Sequence, residues 1–555
     1  MSSRDPGSPA TSFRILVTDE IDPEGVALLR EESSFDVTEL PTTPPAALAK
    51  ILPEFDAFVG RSATRIDAEL LSNAKRLRVV GRAGVGTDNI DIPRATELGI
   101  AVINAPAGNT VAVAELFFGA LLGLLRHLPD AVESMRRGRW DRSSLLGTEL
   151  RGRTLGIVGL GRIGAEVATR ARAFGMSVCA YDPYITAERY DLLRTGRMNS
   201  LQDLLRISDI VTIHTPLNSE TEGMLGGAEL SLLPEGAIVA NMARGGIVAE
   251  GALATALESG NLGGAILDVF SKEPLPADSP LRSLPNVVLT PHLGASTAEG
   301  QRNVAVDVCA AVRDALLSGE LSRAINVVGG LDGRWEEVRP ALVLVRRMAA
   351  IARAMLADRG ERAVDRISLK VGRDLSEAGN LLIASAAAGA LDSIIDGVRL
   401  NLVNARALAE NRGIDLSVTT TLADDHIHGA QVIVKSGTTE MLVAGVAPPG
   451  SGPRLTRIGG FSVDVTPRRT LLVLTNADVP GVIGRVGTLL GDSRVNIAEY
   501  HQARLTEGGD ALAAVSVDGN IDEPVRRKLL SLPDVTSATV VNLSTLDPGG
   551  EQAWS

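Results

Sequence analysis

The chain has 555 residues, a net charge of −12 and only 3% aromatic side chains. One hydrophobic core cannot serve so long a chain, and we expect about three or four domains. Acidic and basic residues are interspersed without a basic stripe, which excludes a general nucleic-acid binder. The two cysteines, Cys179 and Cys309, stand at no metal-like spacing, which excludes a disulfide framework or a zinc site and favours a reducing cytoplasm.

The N-terminal part predicts a parallel sheet. Residues 1–12 are polar and lack an apolar core, so we interpret them as a loose tail and not as a signal peptide. From Phe13 onward, short aliphatic strands alternate with helical stretches, which is the rhythm of βαβ units. The predicted strands are Ile15 to Thr18, Ala57 to Val59, Val79 to Gly81 and Ile100 to Ile103.

The longest apolar run follows this sheet, from Val111 to Leu125. It contains Glu115 and is shorter than the ~20 residues that a membrane span requires. We therefore predict a buried helix and no membrane association.

A second parallel sheet begins at Thr154. The predicted strands are Leu155 to Val158, Val178 to Tyr181, Ile210 to Ile213, Ala237 to Asn241, Ala265 to Asp268 and Val287 to Leu289. Their number and short connections match a doubly wound dinucleotide-binding sheet of the Rossmann type. In such a sheet the ligand lies at the carboxyl ends of the strands.

The glycine motif Gly159-Leu-Gly161-Arg-Ile-Gly164 lies between the first of these strands and a helical stretch. The first glycine permits a tight turn, the second lets the backbone approach a pyrophosphate, and the third lets helix and strand pack closely. Asp182 ends the next strand, where a carboxylate accepts hydrogen bonds from an adenosine ribose. No arginine adjoins it to receive a 2′-phosphate, so the sequence favours NAD over NADP.

Three residues beyond strand ends of this sheet have the chemistry for a 2-hydroxy acid: Arg244, Glu273 and His292. A guanidinium pairs with a carboxylate in a two-pronged manner, and an imidazole can remove the hydroxyl proton as hydride leaves the carbon. A carboxylate beside the imidazole fixes its tautomer and favours its cation. Each residue alone also suits an ordinary surface charge, helix cap or loop histidine.

The C-terminal part predicts two further units. After Val328 the sequence changes to helices, Pro340 to Leu356 and Ala378 to Arg399, followed by strands around Gln431 to Val434 and Met441 to Val446. We predict an α+β region there. From Arg469 to about Leu546 the pattern is strand, helix, strand, strand, helix, strand, which is the ferredoxin-like order.

Residues from about Phe13 to Asn326 resemble the D-isomer-specific 2-hydroxyacid dehydrogenases, and the whole chain resembles long-form members that act on 3-phospho-D-glycerate. The likeness rests on the glycine and catalytic motifs above and on segments 59–64, 80–89, 104–109, 241–246 and 290–297. It implies a discontinuous substrate domain (13–107 and 299–326), an NAD-binding Rossmann domain (108–298), an intervening domain (327–466) and an ACT domain (467–546).

The resemblance also assigns site residues. It implies a catalytic trio of Arg244, Glu273 and His292. Cofactor contacts are implied at Gly159, Gly161, Arg162, Ile163, Gly164, Asp182, Thr215, Ala243, Arg244, Asp268, His292 and Ala295. Substrate contacts are implied at Arg61, Ser62, Arg82, Asn109, Arg244, His292 and Gln301. The implied reaction is oxidation of 3-phospho-D-glycerate to 3-phosphooxypyruvate with NAD, the first step of L-serine synthesis.

The last unit resembles an ACT domain, a module that pairs edge to edge and binds amino acids at the seam. Asp478 and Asn496 match positions that bind L-serine in serine-sensitive relatives, whereas Asn476 stands where some relatives carry an aromatic residue. The resemblance further implies a homo-oligomer, a tetramer, with amino-acid feedback.

Two other functions suit parts of the same sequence. A glyoxylate or hydroxypyruvate reductase would share the trio but lack a phosphate site, against which Arg61 and Arg82 weigh. An NAD-sensing corepressor can share the trio too, but would be expected to end in a disordered extension. His426 and His428 beside two aspartates lack a fourth ligand at a familiar spacing, so we expect no metal.

Overall fold

The computed structural model describes residues 13–327, 329, 333–392, 394, 399–421 and 427–546. The tail predicted for residues 1–12 lies outside the described residues, as does His426 with its neighbouring aspartates. The chain divides into two compact units. One contains the residues up to Asn104 and those from Val308 onward, and the other runs from Ala105 to Asp307.

The first sheet has five parallel strands. Its strands are β1 (Phe13–Val17), β2 (Phe35–Glu39), β3 (Ala57–Gly60), β4 (Val79–Arg82) and β5 (Ala101–Asn104), and its helices are α1 (Pro23–Arg30), α2 (Pro45–Ile51), α3 (Ala68–Asn73) and α4 (Ile92–Glu97). The strand order is β2-β1-β3-β4-β5. Strand β2 was not predicted from the sequence, because this edge strand has no fully buried residue and its apolar pattern is weak.

The second unit contains a seven-stranded parallel sheet. Its elements are α5 (Thr110–Leu125), α6 (Leu128–Arg136), β6 (Thr154–Val158), α7 (Arg162–Ala173), β7 (Ser177–Tyr181), α8 (Ala187–Leu192), β8 (Gly196–Arg197), α9 (Leu201–Ile207), β9 (Ile210–Ile213), α10 (Gly227–Leu230), β10 (Ala237–Asn241), α11 (Glu250–Glu258), β11 (Leu262–Leu267) and β12 (Val287–Leu289), followed by α12 (Ala298–Ser318).

The strand order of this sheet is β12-β11-β10-β9-β6-β7-β8. The order reverses between β6 and β9, and this reversal is the switch point at which a doubly wound sheet binds its ligand. The predicted Rossmann-type fold is therefore confirmed. Only β8, an exposed edge strand of two residues, was missed.

The third sheet is mixed. Its elements are α13 (Trp335–Asp358), β13 (Arg366–Val371), α14 (Gly379–Leu391), α15 (Ala405–Asn411), β14 (Asp415–Thr420), β15 (Gly429–Ser436), β16 (Thr439–Val446), β17 (Arg454–Ile458) and β18 (Phe461–Val465). The order is β14-β13-β15-β16-β17-β18, with only β13 and β14 parallel. The predicted helix from Ala378 to Arg399 ends earlier, at Leu391.

The fourth sheet is antiparallel and has the predicted ferredoxin-like order. Its elements are β19 (Thr470–Ala477), α16 (Val482–Asp492), β20 (Ile497–Arg504), β21 (Asp510–Val517), α17 (Glu523–Leu530) and β22 (Val535–Asn542). The strand order is β20-β21-β19-β22.

The fourth sheet is covered on both faces. Leu472 and Leu474 pack in a core with α16 and α17, whereas Leu471 and Val473 belong to the core built around α13. An ion pair also joins α13 to α17, since Asp358 at the end of α13 lies 2.9 Å from Arg526 in α17. This sheet and the third sheet therefore share one continuous core.

None of the single helices within the described ranges is long and apolar enough to cross a membrane. Helices α5 and α6 taken together have the length and apolar composition of a membrane span, but the chain bends by 63° between them. Six side chains of α5, including those of Phe117 and Leu121, are buried in the core of the second unit.

Candidate active site

Three neighbouring strands position the predicted catalytic trio. Arg244 follows β10, Glu273 follows β11 and His292 follows β12, and these strands are adjacent and parallel. Carboxyl ends of adjacent parallel strands meet at one edge of a sheet, where α/β proteins bind ligands. The topology therefore brings the three loops that carry the trio to the same edge.

The imidazole of His292 contacts the carboxylate of Glu273. The distance from His292 Nδ1 to Glu273 Oε2 is 2.9 Å. The other oxygen of Glu273 accepts a hydrogen bond from the backbone N–H of Phe270 at 3.1 Å, which fixes the carboxylate. With Nδ1 donating to Glu273, the tautomer leaves Nε2 as the basic nitrogen. This is the arrangement of a general base with its orienting partner.

Asn241, the last residue of β10, shapes the turn that carries Arg244. Its side-chain N–H donates to the carbonyl of Arg244 at 2.8 Å, and its oxygen accepts from the N–H of Ala243 at 3.1 Å. Asn241 is 2% exposed. This role was not predicted from the sequence, although a polar residue at the end of an apolar strand was the available signal.

The carboxylate of Asp268 holds the loop that contains His292. It accepts hydrogen bonds from Thr290 Oγ1 at 2.6 Å, from the N–H of Leu293 at 2.7 Å and from the N–H of Gly294 at 2.8 Å. The residue is 1% exposed. The resemblance implied a cofactor contact here, and the structure adds a positioning role that the sequence analysis missed.

The glycine motif forms a tight turn between β6 and α7. Gly159 has a φ of 90°, and a Cβ atom there would lie 2.7 Å from the carbonyl oxygen of His214. A Cβ atom at Gly164 would lie 2.2 Å from the carbonyl oxygen of Gly159. Both positions therefore require glycine. At Gly161, in contrast, an added Cβ atom meets nothing within 4 Å, so the backbone faces open space.

Several groups around this turn suit a dinucleotide. The N-terminus of α7, which contains Arg162 and Ile163, has no side-chain cap, so its N–H groups can face a pyrophosphate. The hydroxyl of Thr215 is buried and has no hydrogen-bond partner within the part of the chain that the structure describes. Asp182 accepts from the N–H groups of Leu160 at 2.9 Å and Tyr184 at 3.0 Å, and its carboxylate retains acceptor capacity for a ribose. The residues present therefore fit NAD.

His214 is a buried titratable residue beside this turn that the sequence analysis did not identify. Its Nε2 lies 3.0 Å from Thr212 Oγ1, and its ring meets that of Phe117 edge to face. Its Nδ1 is buried without a hydrogen-bond partner among the described residues. Burial lowers the pKa of His214 to about 3, so the ring is neutral at physiological pH.

The predicted substrate residues are divided between the two units. Arg61 and Ser62 follow β3 and Arg82 ends β4, the neighbouring strand in the first sheet. Asp19 fixes this loop by accepting from the N–H of Arg61 at 2.8 Å.

Asn109 and Gln301 lie in the second unit. The side-chain oxygen of Asn109 is buried, and no described residue donates a hydrogen bond to it. Gln301 lies in the first turns of α12, and its N–H donates to the carbonyl of Thr297 at 2.9 Å. Ala295 follows Gly294, which is bound to Asp268, in the loop that contains His292.

The predicted effector residues do not meet within one chain. Asp478 follows the end of β19 and accepts from the N–H of Gly508 at 3.2 Å and from Arg504 at 3.3 Å, contacts that lower its pKa. Asn496 precedes β20 and donates to Asp518 at 2.6 Å. Because β19 and β20 both run antiparallel to β21, these two residues lie at opposite ends of the sheet.

No group of three or more histidine, cysteine, aspartate or glutamate residues within the described ranges is arranged to hold a metal ion. His428 is described and lies 3.6 Å from Asp374. Cys179 and Cys309 are free thiols, and burial raises the pKa of Cys309 to about 12.

Comparisons with known proteins identify the family to which this fold belongs. Residues 118–294 match the family model described as D-isomer specific 2-hydroxyacid dehydrogenase, NAD binding domain. A glyoxylate reductase structure from Paecilomyes thermophila is 32% identical, covers 57% of this chain and 98% of its own, and has a TM-score of 0.53. A structure from Thermus thermophilus is 38% identical over 53% of this chain and 94% of its own, with a TM-score of 0.50. Fold and site together define an NAD-dependent dehydrogenase of the D-isomer-specific 2-hydroxyacid class.

Relatives that align with nearly the whole chain narrow this class. D-3-phosphoglycerate dehydrogenase of Synechocystis sp. is 37% identical over 96% of this chain and 95% of its own length. The enzymes of that name from Bacillus subtilis and Mycobacterium tuberculosis are 37% and 38% identical over 96% of this chain, and the alignments cover 100% and 99% of their own lengths. The chain belongs to the D-3-phosphoglycerate dehydrogenase family.

Proposed function

We propose that this enzyme oxidises 3-phospho-D-glycerate to 3-phosphooxypyruvate with NAD, the first step of L-serine synthesis. The observation that carries the proposal is the 2.9 Å contact between His292 and Glu273, on strands adjacent to the one that presents Arg244. The end-to-end similarity to D-3-phosphoglycerate dehydrogenases supports the choice of substrate.

The chemistry assigns one task to each member of the trio. When bound at the glycine turn, NAD would supply the hydride acceptor for C2 of the substrate. His292 takes the C2 hydroxyl proton at Nε2, while its Nδ1–H donates to Glu273, whose negative charge stabilises the imidazolium that forms. Arg244 pairs with the substrate carboxylate and polarises the C2 oxygen, tasks that suit a planar guanidinium with several donors.

Recognition of the phosphate group is assigned to Arg61 and Arg82, supported by Ser62. Arg61 follows β3 and Arg82 ends the adjacent strand β4, and guanidinium groups match phosphate geometry. Asn109 and Gln301 complete the proposed substrate contacts. The buried and unpartnered oxygen of Asn109, considered over the described residues, supports a polar ligand at that position.

The proposal includes regulation by L-serine through the fourth sheet and assembly into a homotetramer. Asp478 and Asn496 lie at opposite ends of one sheet, so an amino acid that contacts both requires two copies paired edge to edge. The free thiols Cys179 and Cys309 suit a reducing compartment such as the cytoplasm.

The decisive experiment is the initial rate of NADH formation from 3-phospho-D-glycerate, compared with D-glycerate and D-2-hydroxyglutarate. We expect kcat/KM to be highest for the phosphorylated substrate. A preference for unphosphorylated acids would favour a glyoxylate or hydroxypyruvate reductase. Absence of turnover with every acid, combined with intact NADH binding, would favour a corepressor. Titration with L-serine in the same assay tests the regulatory part.

A further inference from the structure

Two loops flank the glycine motif at the adenosine end of the dinucleotide crevice. The strand order β9-β6-β7 places the loop after β7 on one side of the motif and the loop after β9 on the other. The hydroxyl of Tyr184, in the first loop, donates a hydrogen bond to the carboxylate of Glu220, in the second. These two side chains therefore join the loops on either side of β6.

Both ends of this contact are fixed by local hydrogen bonds. The N–H of Tyr184 donates to Asp182 Oδ1 at 3.0 Å. The backbone of the tyrosine is therefore held by the carboxylate that is assigned to the ribose. On the other side, Asn218 Oδ1 accepts from the N–H groups of Glu220 at 2.9 Å and Thr221 at 3.0 Å. The loop therefore holds the backbone of Glu220 in one conformation.

Packing does not explain the position of Tyr184. The residue is 76% exposed, although tyrosine usually buries much of its ring. Its pKa is raised, first by the hydrogen bond to Glu220 and then by desolvation and by the charges of Glu220 and Asp182, among others. Neither carboxylate forms an ion pair with any described residue. Tyr184 thus contacts two carboxylates, that of Asp182 through its backbone N–H and that of Glu220 through its hydroxyl.

We propose that Glu220, positioned by Tyr184, is a second specificity-determining carboxylate that acts with Asp182 to reject the 2′-phosphate of NADP. A doubly wound sheet binds the adenosine ribose at the carboxylate that follows its second strand, which here is Asp182. A phosphate on that ribose would face both negative charges. The inference rests on NAD as the cofactor and does not depend on which hydroxyacid is oxidised.

The test is a fluorescence titration of the purified full-length enzyme with NADH and with NADPH. Glu220→Gln removes the charge, and Tyr184→Phe keeps the ring but releases the carboxylate. We expect each change to strengthen NADPH binding relative to NADH binding by about fivefold at low salt. The effect is modest because two like charges that are exposed to water repel each other weakly. The shift should shrink as KCl is raised, because salt screens exposed charges.

The matched control is Glu222→Gln, which removes an exposed carboxylate two residues away that lies outside the contact. We expect this variant to keep the wild-type ratio. An unchanged ratio in Glu220→Gln, or an equal shift in Glu222→Gln, overturns the specificity role. A wild-type ratio in Tyr184→Phe overturns the positioning role. Turnover of 3-phospho-D-glycerate is measured separately, so failure of the proposed substrate is distinguishable from failure of this inference.

Discussion

Glu273 Oε2 lies 2.9 Å from Nδ1 of His292, although one residue follows β11 and the other follows β12. The pair exists because β11 and β12 are adjacent and parallel, so the chain returns to the same edge of the sheet after each strand. The contact fixes both the orientation and the tautomer of the imidazole.

The orienting role of Glu273 predicts a large effect of a small change. Glu273→Gln removes the negative charge that stabilises the imidazolium, and we expect kcat to fall by about 10²-fold. The affinity for NADH should change little, because the substituted group serves the proton transfer. Steady-state rates with 3-phospho-D-glycerate and NADH titration check both expectations. A variant with wild-type kcat would contradict the role of the pair, and His292→Ala gives the reference for complete loss of the base.

Arg244 should not be replaceable by lysine. An ammonium cannot form the two-pronged contact with a carboxylate, so we expect Arg244→Lys to lower kcat/KM by about 10²-fold. Steady-state kinetics with 3-phospho-D-glycerate measure this loss, and NADH binding reports whether the fold persists. Arg282→Lys, at an exposed arginine that binds the carbonyls of Leu275 and Pro276, is a control expected to keep wild-type kinetics.

The phosphate assignment predicts a selective effect at Arg61. Arg61→Gln should raise KM for 3-phospho-D-glycerate by about tenfold while leaving KM for an unphosphorylated hydroxyacid nearly unchanged, because only the phosphorylated substrate loses a charge pair. Arg65→Gln, at an exposed arginine in the same segment, is the matched control. An equal effect on both substrates would argue against a phosphate contact.

Asp268 should matter for stability as well as for activity. Its carboxylate accepts three hydrogen bonds from the loop that contains His292, and an amide at this position cannot satisfy them equally. We expect Asp268→Asn to lower the free energy of unfolding by about 3 kcal/mol. Urea unfolding measures this change, with the exposed Asp278→Asn as control. Equal stability of the two variants would show that the loop is held in another way.

His214 predicts a pH dependence of stability. Burial lowers its pKa to about 3, well below the value of about 6.5 in the unfolded chain, so the unfolded state binds more protons between these values. Its contribution to stability is therefore complete above pH about 6.5 and is lost by up to about 1.4 kcal/mol per pH unit as the pH falls.

We expect His214→Asn to flatten the stability profile between about pH 6 and 4, as measured by urea unfolding at several pH values. His127→Asn is the matched control, since asparagine tolerates the left-handed conformation of that residue, whose φ is 49°. A parallel slope in wild type and His214→Asn would contradict the assignment of a buried neutral ring.

Local patterns in the sequence were sufficient for the central strands and for the glycine turn. Runs such as that of β10 are buried on both faces, and their apolar character is visible without any partner. The edge strands were not predicted, for the opposite reason. β2 has no fully buried residue and β8 is exposed, so their composition does not differ enough from that of a loop.

Roles that depend on hydrogen-bond partners could not be assigned from the sequence. For Asp268 the sequence predicted a cofactor contact only, and the structure adds the hydrogen bonds that its carboxylate accepts from the N–H groups of Leu293 and Gly294. Tyr184 and Glu220 carry no motif, and only the strand order places their loops on either side of β6. In each case the partner is distant in sequence, and its identity depends on the order of the strands.

By itself, the sequence determined the class of chemistry, because the glycine spacing, Asp182 and the trio have few alternative uses in combination. It also determined the ferredoxin-like order of the last elements. Only the tertiary structure decided that the last sheet shares its core with α13, since an apolar strand such as β19 does not reveal which element covers each face. Sheet order, a long-range property, decided which loops meet and hence which side chains act together.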